Sequence, residues 1–289
     1  LQEYTWREHH SKIFTILRIV VKFNQEETEF EKQWIDQLAD YIDFIGDDHD
    51  LIYEDLSLIL QLTENPVNNR ELSFSSIRTK AEALLLLMDG NDDLKLLSLR
   101  ILIKIPIMEE GKQRSTCPDE VMKELVHIVS SNGCEGKLAR HAVDYIHTVI
   151  RFDEELRLSI ANENSYLDLF MEWLSARTRL PNQFAFPLLK IFNVISFSRS
   201  TRRNLITKEM FTYLFNFMKI NAHVEKVLKV RICAANIFYN LLEDDGHKVY
   251  AQFVKSVCSA SDLMELLKTV RDNILIQWIC KIIEAIIKK

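Results

Sequence analysis

With 289 residues, 47% of them hydrophobic and 27% charged, the chain can bury a large core as one or two globular domains or as one elongated repeat array. Gly and Pro are scarce, about two per cent each against roughly 7% and 5% on average, and turns consume both, so a turn-rich β architecture is excluded and a helical one indicated. The net charge of −6 excludes a strongly basic molecule; nucleic acid would have to meet a local basic face.

The odd set Cys117, Cys134, Cys233, Cys258 and Cys280 contains no C-x-x-C and no Cys/His ladder, which indicates neither a disulfide framework nor a zinc site. No N-x-[ST] acceptor occurs either, and a reducing compartment is expected, cytoplasmic or nuclear. Apolar runs such as 84–88 fall far short of the ~18 residues of a bilayer span, so no membrane partner is expected. No signal peptide is visible. The chain opens at Leu1 and stops at "IIEAIIKK", and it is expected to be a fragment of a longer protein.

Amphipathic helices then recur in chain order: "KIFTILRIVV" (12–21), "LSLILQLTEN" (56–65), "LRILIKIPIM" (99–108), "VDYIHTVIRF" (143–152), "LKIFNVISFS" (189–198), "NIFYNLLEDD" (236–245) and "KIIEAIIKK" (281–289). Aligned, they place Arg18, Gln61, Lys104, Thr148, Asn193, Asn240 and Ala285 at one position, with spacings of 43, 43, 44, 45, 47 and 45 residues. Apolar residues stand two before and one after it in every copy: Ile16/Ile19, Ile59/Leu62, Leu102/Ile105, Ile146/Val149, Ile191/Val194, Phe238/Leu241 and Ile283/Ile286. These pairs are expected in the core.

Each interval holds a second amphipathic helix, at 34–44, 77–88, 121–129, 167–174, 211–218 and 263–270. "CPDE" around Pro118 and "SASD" before Leu263 mark helix starts. A short extra helix often intervenes, as in "EELRLSIAN", "RRNLITK" and "HKVYAQFV". Units of about 40–47 residues cannot cover their own apolar faces, so neighbours stack into a continuous core. Such units are expected at 1–50, 51–93, 94–136, 137–182, 183–226 and 227–289, together one domain.

Chemistry-bearing motifs are absent. There is no phosphate-binding glycine loop, no H-E-x-x-H and no G-x-S-x-G. "DGNDDLKLLSLR" lacks the Gly and the terminal Glu of a calcium loop and reads as a helix-capping loop, and "GDDHD" (46–50) as a loop with a helix start. His141 and His147, six apart, fall on different helix faces and make no ligand pair. No catalytic residue, metal or cofactor is indicated.

The run "ANIFYNLLEDDGHKVYAQFV" followed by "SDLMELLKTV" resembles an armadillo unit, whose long third helix carries an Asn and is followed by a short first and an apolar second helix. The resemblance covers nearly the whole chain and implies an all-α, right-handed α-solenoid of about six armadillo-like repeats. It also implies that the third helices line a concave groove in which Asn193 and Asn240 hydrogen-bond the backbone of an extended peptide. Gln61, Lys104 and Thr148 are the departing counterparts.

One turn earlier lie Ser57, Arg100, Asp144, Leu189 and Asn236, mostly polar as a groove row requires. Arg100, Lys104 and Arg140 would form a basic patch that steers an acidic or phosphorylated peptide. Arg199, Arg202 and Arg203 sit in a repeated junction, where they read as a solvated edge or as contacts to an anion or phosphate. Nuclear import adaptors of this class place Trp one turn before the groove Asn; here that row has none, and Trp34, Trp173 and Trp278 fall elsewhere. The expected function is a non-enzymatic scaffold or adaptor for a protein or peptide partner. The alternatives are a nucleic-acid- or chromatin-associated repeat subunit and a transport receptor. Truncating Leu241 or Ile191 should damage the fold, whereas Asn193→Ala or Asn240→Ala should leave it nearly intact.

Overall fold

The computed structural model describes residues 2–23, 29–45, 48–106, 117–131, 136–162, 164–175, 184–220, 224–243 and 248–288, and these form helices with no strand among them. The chain divides into two compact units, Leu1–Val149 and Ile150–Lys289. Cys134 and the first two residues of "GDDHD" lie outside the described residues.

The first unit holds α1 (Gln2–Phe23), α2 (Lys32–Ile45), α3 (His49–Leu62), α4 (Pro66–Ser73), α5 (Ile77–Leu87), α6 (Asp92–Lys104), α7 (Asp119–Ser131) and most of α8 (Lys137–Phe152). Short polar side chains set the helix starts. Asp48 caps α3 by accepting from the Leu51 amide, and Asn65 caps α4 ahead of Pro66. Asn91 accepts from the Leu94 amide to start α6, and Gly90 before it turns the chain with φ of 79°, a conformation that Gly adopts without Cβ strain. The "DGNDD" run is therefore the capping loop that its composition indicates.

Helices α1, α3 and α6 pack in sequence, with α2 laid on α3 and α5 on α6. Ile59, Leu62, Leu102, Ile105, Ile146 and Val149 are all buried, as their periodic position requires. Polar locks join successive units. Lys95 reaches Glu124 on α7 at 2.6 Å, and the Tyr145 hydroxyl donates to Glu82 on α5 at 2.5 Å while accepting from Arg78 at 3.0 Å.

The second unit holds α9 (Glu154–Asn162), α10 (Asn164–Ser175), α11 (Ala185–Phe197), α12 (Arg199–Arg202) with a 3-10 turn at Arg203–Leu205, α13 (Lys208–Lys219), α14 (Glu225–Leu242), α15 (Lys248–Val257), α16 (Ala260–Thr269) and α17 (Asn273–Lys288). Thr207 caps α13, and Ser259 with Asp262 forms a capping box at α16, in the "SASD" run. Helix α14 packs between α11 and α17, with α13 against α14 and α16 against α17. Ile191, Phe238 and Leu241 are fully buried, and Phe211 meets Phe238 edge-on at 4.9 Å between ring centres.

The periodic core departs from expectation at α1 and α17, and in α11 Val194 is only half-buried. Ile16 and Ile19 are 59% and 50% exposed, while Phe14, Leu17 and Val21 of α1 join the core cluster with residues of α2 and α3. In α17 the buried stripe is Leu275, Ile279 and Ile282, one residue out of register with Ile283 and Ile286. Packing against its own neighbours, not the repeat, sets the rotation of each of these helices. No described helix is long and apolar enough to cross a membrane.

Candidate peptide-binding surface

In the second unit the third helices α11, α14 and α17 lie side by side, with α14 in the middle. Asn193 on α11 is half-buried and its Oδ1 accepts from Nδ2 of Asn236 on α14 at 3.1 Å. Asn193 Nδ2 and Asn236 Oδ1 have no partner among the described residues. Two adjacent amides thus offer one donor and one acceptor, the complement of a peptide backbone.

Asn240 does something else. It is 5% exposed, and its Nδ2 donates to Ser196 Oγ at 3.0 Å, which in turn donates to the Asn193 carbonyl at 2.8 Å. The expectation that Asn240 faces a groove is corrected: its amide ties α14 to α11 from inside. The cause is in the spacing. Asn193 and Asn240 are 47 residues apart, while Asn193 and its spatial partner Asn236 are 43 apart. The difference, 47 − 43 = 4 residues, is about one helical turn.

Beside the amides lies an aromatic surface. Tyr239 on α14 and Trp278 on α17 sit 5.5 Å apart with ring planes tilted by 52°. The Lys281 ammonium lies 4.4 Å from the Trp278 ring centre and 5.7 Å from that of Tyr239. A hydrogen bond to Glu243, aided by burial and the Glu243 charge, raises the Tyr239 hydroxyl above its ordinary pKa. One turn before Asn193, Lys190 stands over the Phe186 ring at 5.6 Å. No repeat position of the sequence marks Tyr239 or Lys281, and Trp278 lies outside the row one turn before the groove Asn. The Trp278–Lys281 separation of three residues was the available signal, since it stacks both on one helix face.

In the first unit the basic patch does not assemble as expected. Arg100 is exposed, but Lys104 pairs with Glu64, and Arg140 Nε stands 3.9 Å from Asp144 Oδ2 on the next turn. Two of the three cations thus face a carboxylate, so the patch carries little net charge. Thr148 donates to the Asp144 carbonyl at 2.9 Å along its own helix. Gln61 is half-buried with Oε1 enclosed and not hydrogen-bonded, and Ser57 and Leu189 are buried, so the row one turn earlier is not uniformly solvent-facing.

Arg202 is likewise corrected. It is 9% exposed and spends its donors on the end of α11, Nε to the Ser196 carbonyl at 2.8 Å and Nη2 to the Phe197 carbonyl at 3.1 Å. Free carbonyls and the negative end of the helix dipole make that a natural seat for a guanidinium, and remove it from an anion-binding edge. Arg199 and Arg203 are exposed. Among the described residues no group of three or more His, Cys, Asp or Glu could hold a metal, and His141 Nδ1 lies 2.7 Å from the Lys137 carbonyl of its own helix.

The chain matches no model of a known protein family and no curated protein. Among solved structures it is similar to an engineered protein of the Northeast Structural Genomics Consortium, with a TM-score of 0.61 and 13% identity over 88% of this chain and 96% of the other. A second engineered protein of that consortium aligns with a TM-score of 0.61 and 14% identity, over 87% of this chain and 57% of its own. A designed armadillo repeat protein in complex with the peptide (KR)4 aligns with a TM-score of 0.60 and 13% identity, over 88% of this chain and 98% of its own. The chain has an armadillo-like, all-helical repeat fold.

Proposed function

We propose that this protein is a non-enzymatic scaffold that holds an extended peptide segment of a partner on the third helices of its repeats, within a cytosolic or nuclear assembly. The observation that carries the reading is the Asn193–Asn236 pair, with one amide donor and one acceptor turned out together on adjacent helices. A peptide backbone laid across α11 and α14 satisfies both at once. The Tyr239–Trp278 rings beside it supply a rigid aromatic contact for a side chain of the same peptide. The designed armadillo protein with its bound peptide supports the view that this architecture serves peptide capture.

Specificity in this reading comes from amide geometry and aromatic contact more than from charge, because Lys104 and Arg140 face carboxylates. An acidic or phosphorylated segment is therefore favoured only locally, near Arg100. No disulfide joins the described cysteines, which suits a reducing compartment.

Selection of displayed peptides on the whole chain, repeated with an Asn193→Ala/Asn236→Ala variant, tests the reading. Peptides that bind the wild type should bind the variant about tenfold more weakly, the worth of one to two hydrogen bonds. Equal affinity for both proteins would refute it.

A further inference from the structure

Helix α3 carries a carboxyl group in the core of the first unit. Asp55 is 0% exposed, and neither of its oxygens is hydrogen-bonded to any group of the protein. Its neighbourhood offers little compensation. From α5, Lys80 is the one cation among the described residues that acts on it appreciably, and that ammonium is already bound by the Ala39 carbonyl at 2.7 Å and by Asp43 at 2.7 Å, with Asp40 at 3.6 Å.

From α2, Tyr41 interacts electrostatically with Asp55 and with Asp48, the cap of α3. The Tyr41 ring stacks on His10 of α1 at 5.6 Å and leans on Phe14 at 5.2 Å, so this one side chain joins α1, α2 and α3. The charged groups next along the helices are taken: Arg18 of α1 pairs with Glu54, and Lys95 of α6 with Glu124. An ionised Asp55 would lose its water and gain no partner, a cost that the neutral acid avoids. Burial accordingly holds the Asp55 carboxyl well above its ordinary range, with Lys80 pulling it part of the way back.

We infer that Asp55 is a pH-sensitive latch in the first unit: as a neutral acid it lets α1 and α2 close on α3, and as a carboxylate it loosens that seam. The sign follows from proton linkage. The closed seam binds one proton more than the open one at any pH between the ordinary carboxylate value and the raised one. Its stability is therefore complete below the ordinary value of about 4 and is lost as the pH rises through the raised value. Within that window the opening equilibrium of α1–α3 grows by up to about tenfold per pH unit.

Hydrogen exchange of the whole chain, read by peptide from about pH 5 to about pH 8 and corrected for intrinsic exchange, tests this. In the wild type, opening of α1–α3 should rise with pH relative to α13 and α14, which serve as reference. Asp55→Asn, similar in shape and without a titrating proton, should flatten that rise, and so should Asp55→Leu. Should the Asn variant fail to hold α1 in place, the Leu variant and the wild-type slope still decide. A wild-type α1–α3 seam whose opening follows the reference helices across this range would overturn the inference. An equal slope in wild type and either variant would do the same.

Discussion

Replacing Asn240 and Asn236 one at a time separates the asparagine that builds the repeat from the one that serves its surface. Asn240→Ala removes an enclosed amide and its bond to Ser196 Oγ. Ser196 keeps its own bond to the Asn193 carbonyl, so no donor is stranded and the full penalty of an orphaned buried group does not apply. The net loss is one buried hydrogen bond, about 0.5–1.5 kcal/mol, plus the packing of a small buried side chain, together about 1–2.5 kcal/mol. Asn236 is half-buried and its amide is half free, so Asn236→Ala should cost about 0.5 kcal/mol.

Because the chain has two compact units, a single melting temperature would mix their transitions, and backbone exchange of α11 and α14 is the sounder assay. There the Asn240 variant should open about five- to seventyfold more than wild type, and the Asn236 variant about twofold. Peptide capture should follow the opposite order, spared in the Asn240 variant and weakened in the Asn236 variant. If Asn236→Ala proves the more destabilising of the two, the assignment of inner and outer asparagine is wrong.

Other outcomes follow from the same packing. Leu241→Ala, at a fully buried position, should cost about 2–5 kcal/mol by denaturant unfolding, and a loss under about 1 kcal/mol would place it outside the core. Ser259→Ala should fray α16 in hydrogen exchange, since Ser259 closes the capping box with Asp262. The Asp262 carboxyl is held below its ordinary value by bonds from Ser259, so the stability it gives is present above that value and is lost as the pH falls through the lowered one. Among the described cysteines, Cys280 should take a thiol label first. Burial pushes the thiols of Cys233 and Cys258 up to about 12, and fast labelling of either, resolved by peptide, would contradict their enclosure. Lys281→Met should change the Trp278 emission by removing the cation from its ring, and an unchanged spectrum would argue against that contact.

The architecture was legible because repetition multiplies a weak signal. One amphipathic helix is ambiguous, but seven copies at spacings of 43–47 residues mark Ile59, Leu102 and Ile146 as core positions of the first unit and Ile191 and Phe238 as core positions of the second, and all are buried. Capping chemistry was equally local, and Asn91 and Ser259 act as their neighbours in sequence imply. The pattern failed at α1 and α17. A repeat states which residues can face a neighbour, and Ile16 and Ile19 keep that spacing while standing exposed.

The surface was less legible, for a reason visible in the asparagines. An alignment of helices equates positions along each helix, whereas a binding face depends on how far one helix has rotated and slid against the next. A shift of four residues, one turn, exchanges Asn236 for Asn240 beside Asn193, and with it an exposed amide for a buried one. Charges suffer from the same blindness: Lys104 and Arg140 are basic in any one-dimensional count, yet Glu64 and Asp144 stand against them. Arg202 shows the third form of it, since no spacing rule reveals that two carbonyls at the end of α11 will claim its guanidinium. What remains outward in the second unit, the Asn193–Asn236 amides and the Tyr239–Trp278 rings, is defined by contacts between helices about 40 residues apart in sequence, the scale of one repeat. In the proposed reading the binding surface is therefore the seam between repeats, which single-repeat patterns locate only to within a turn.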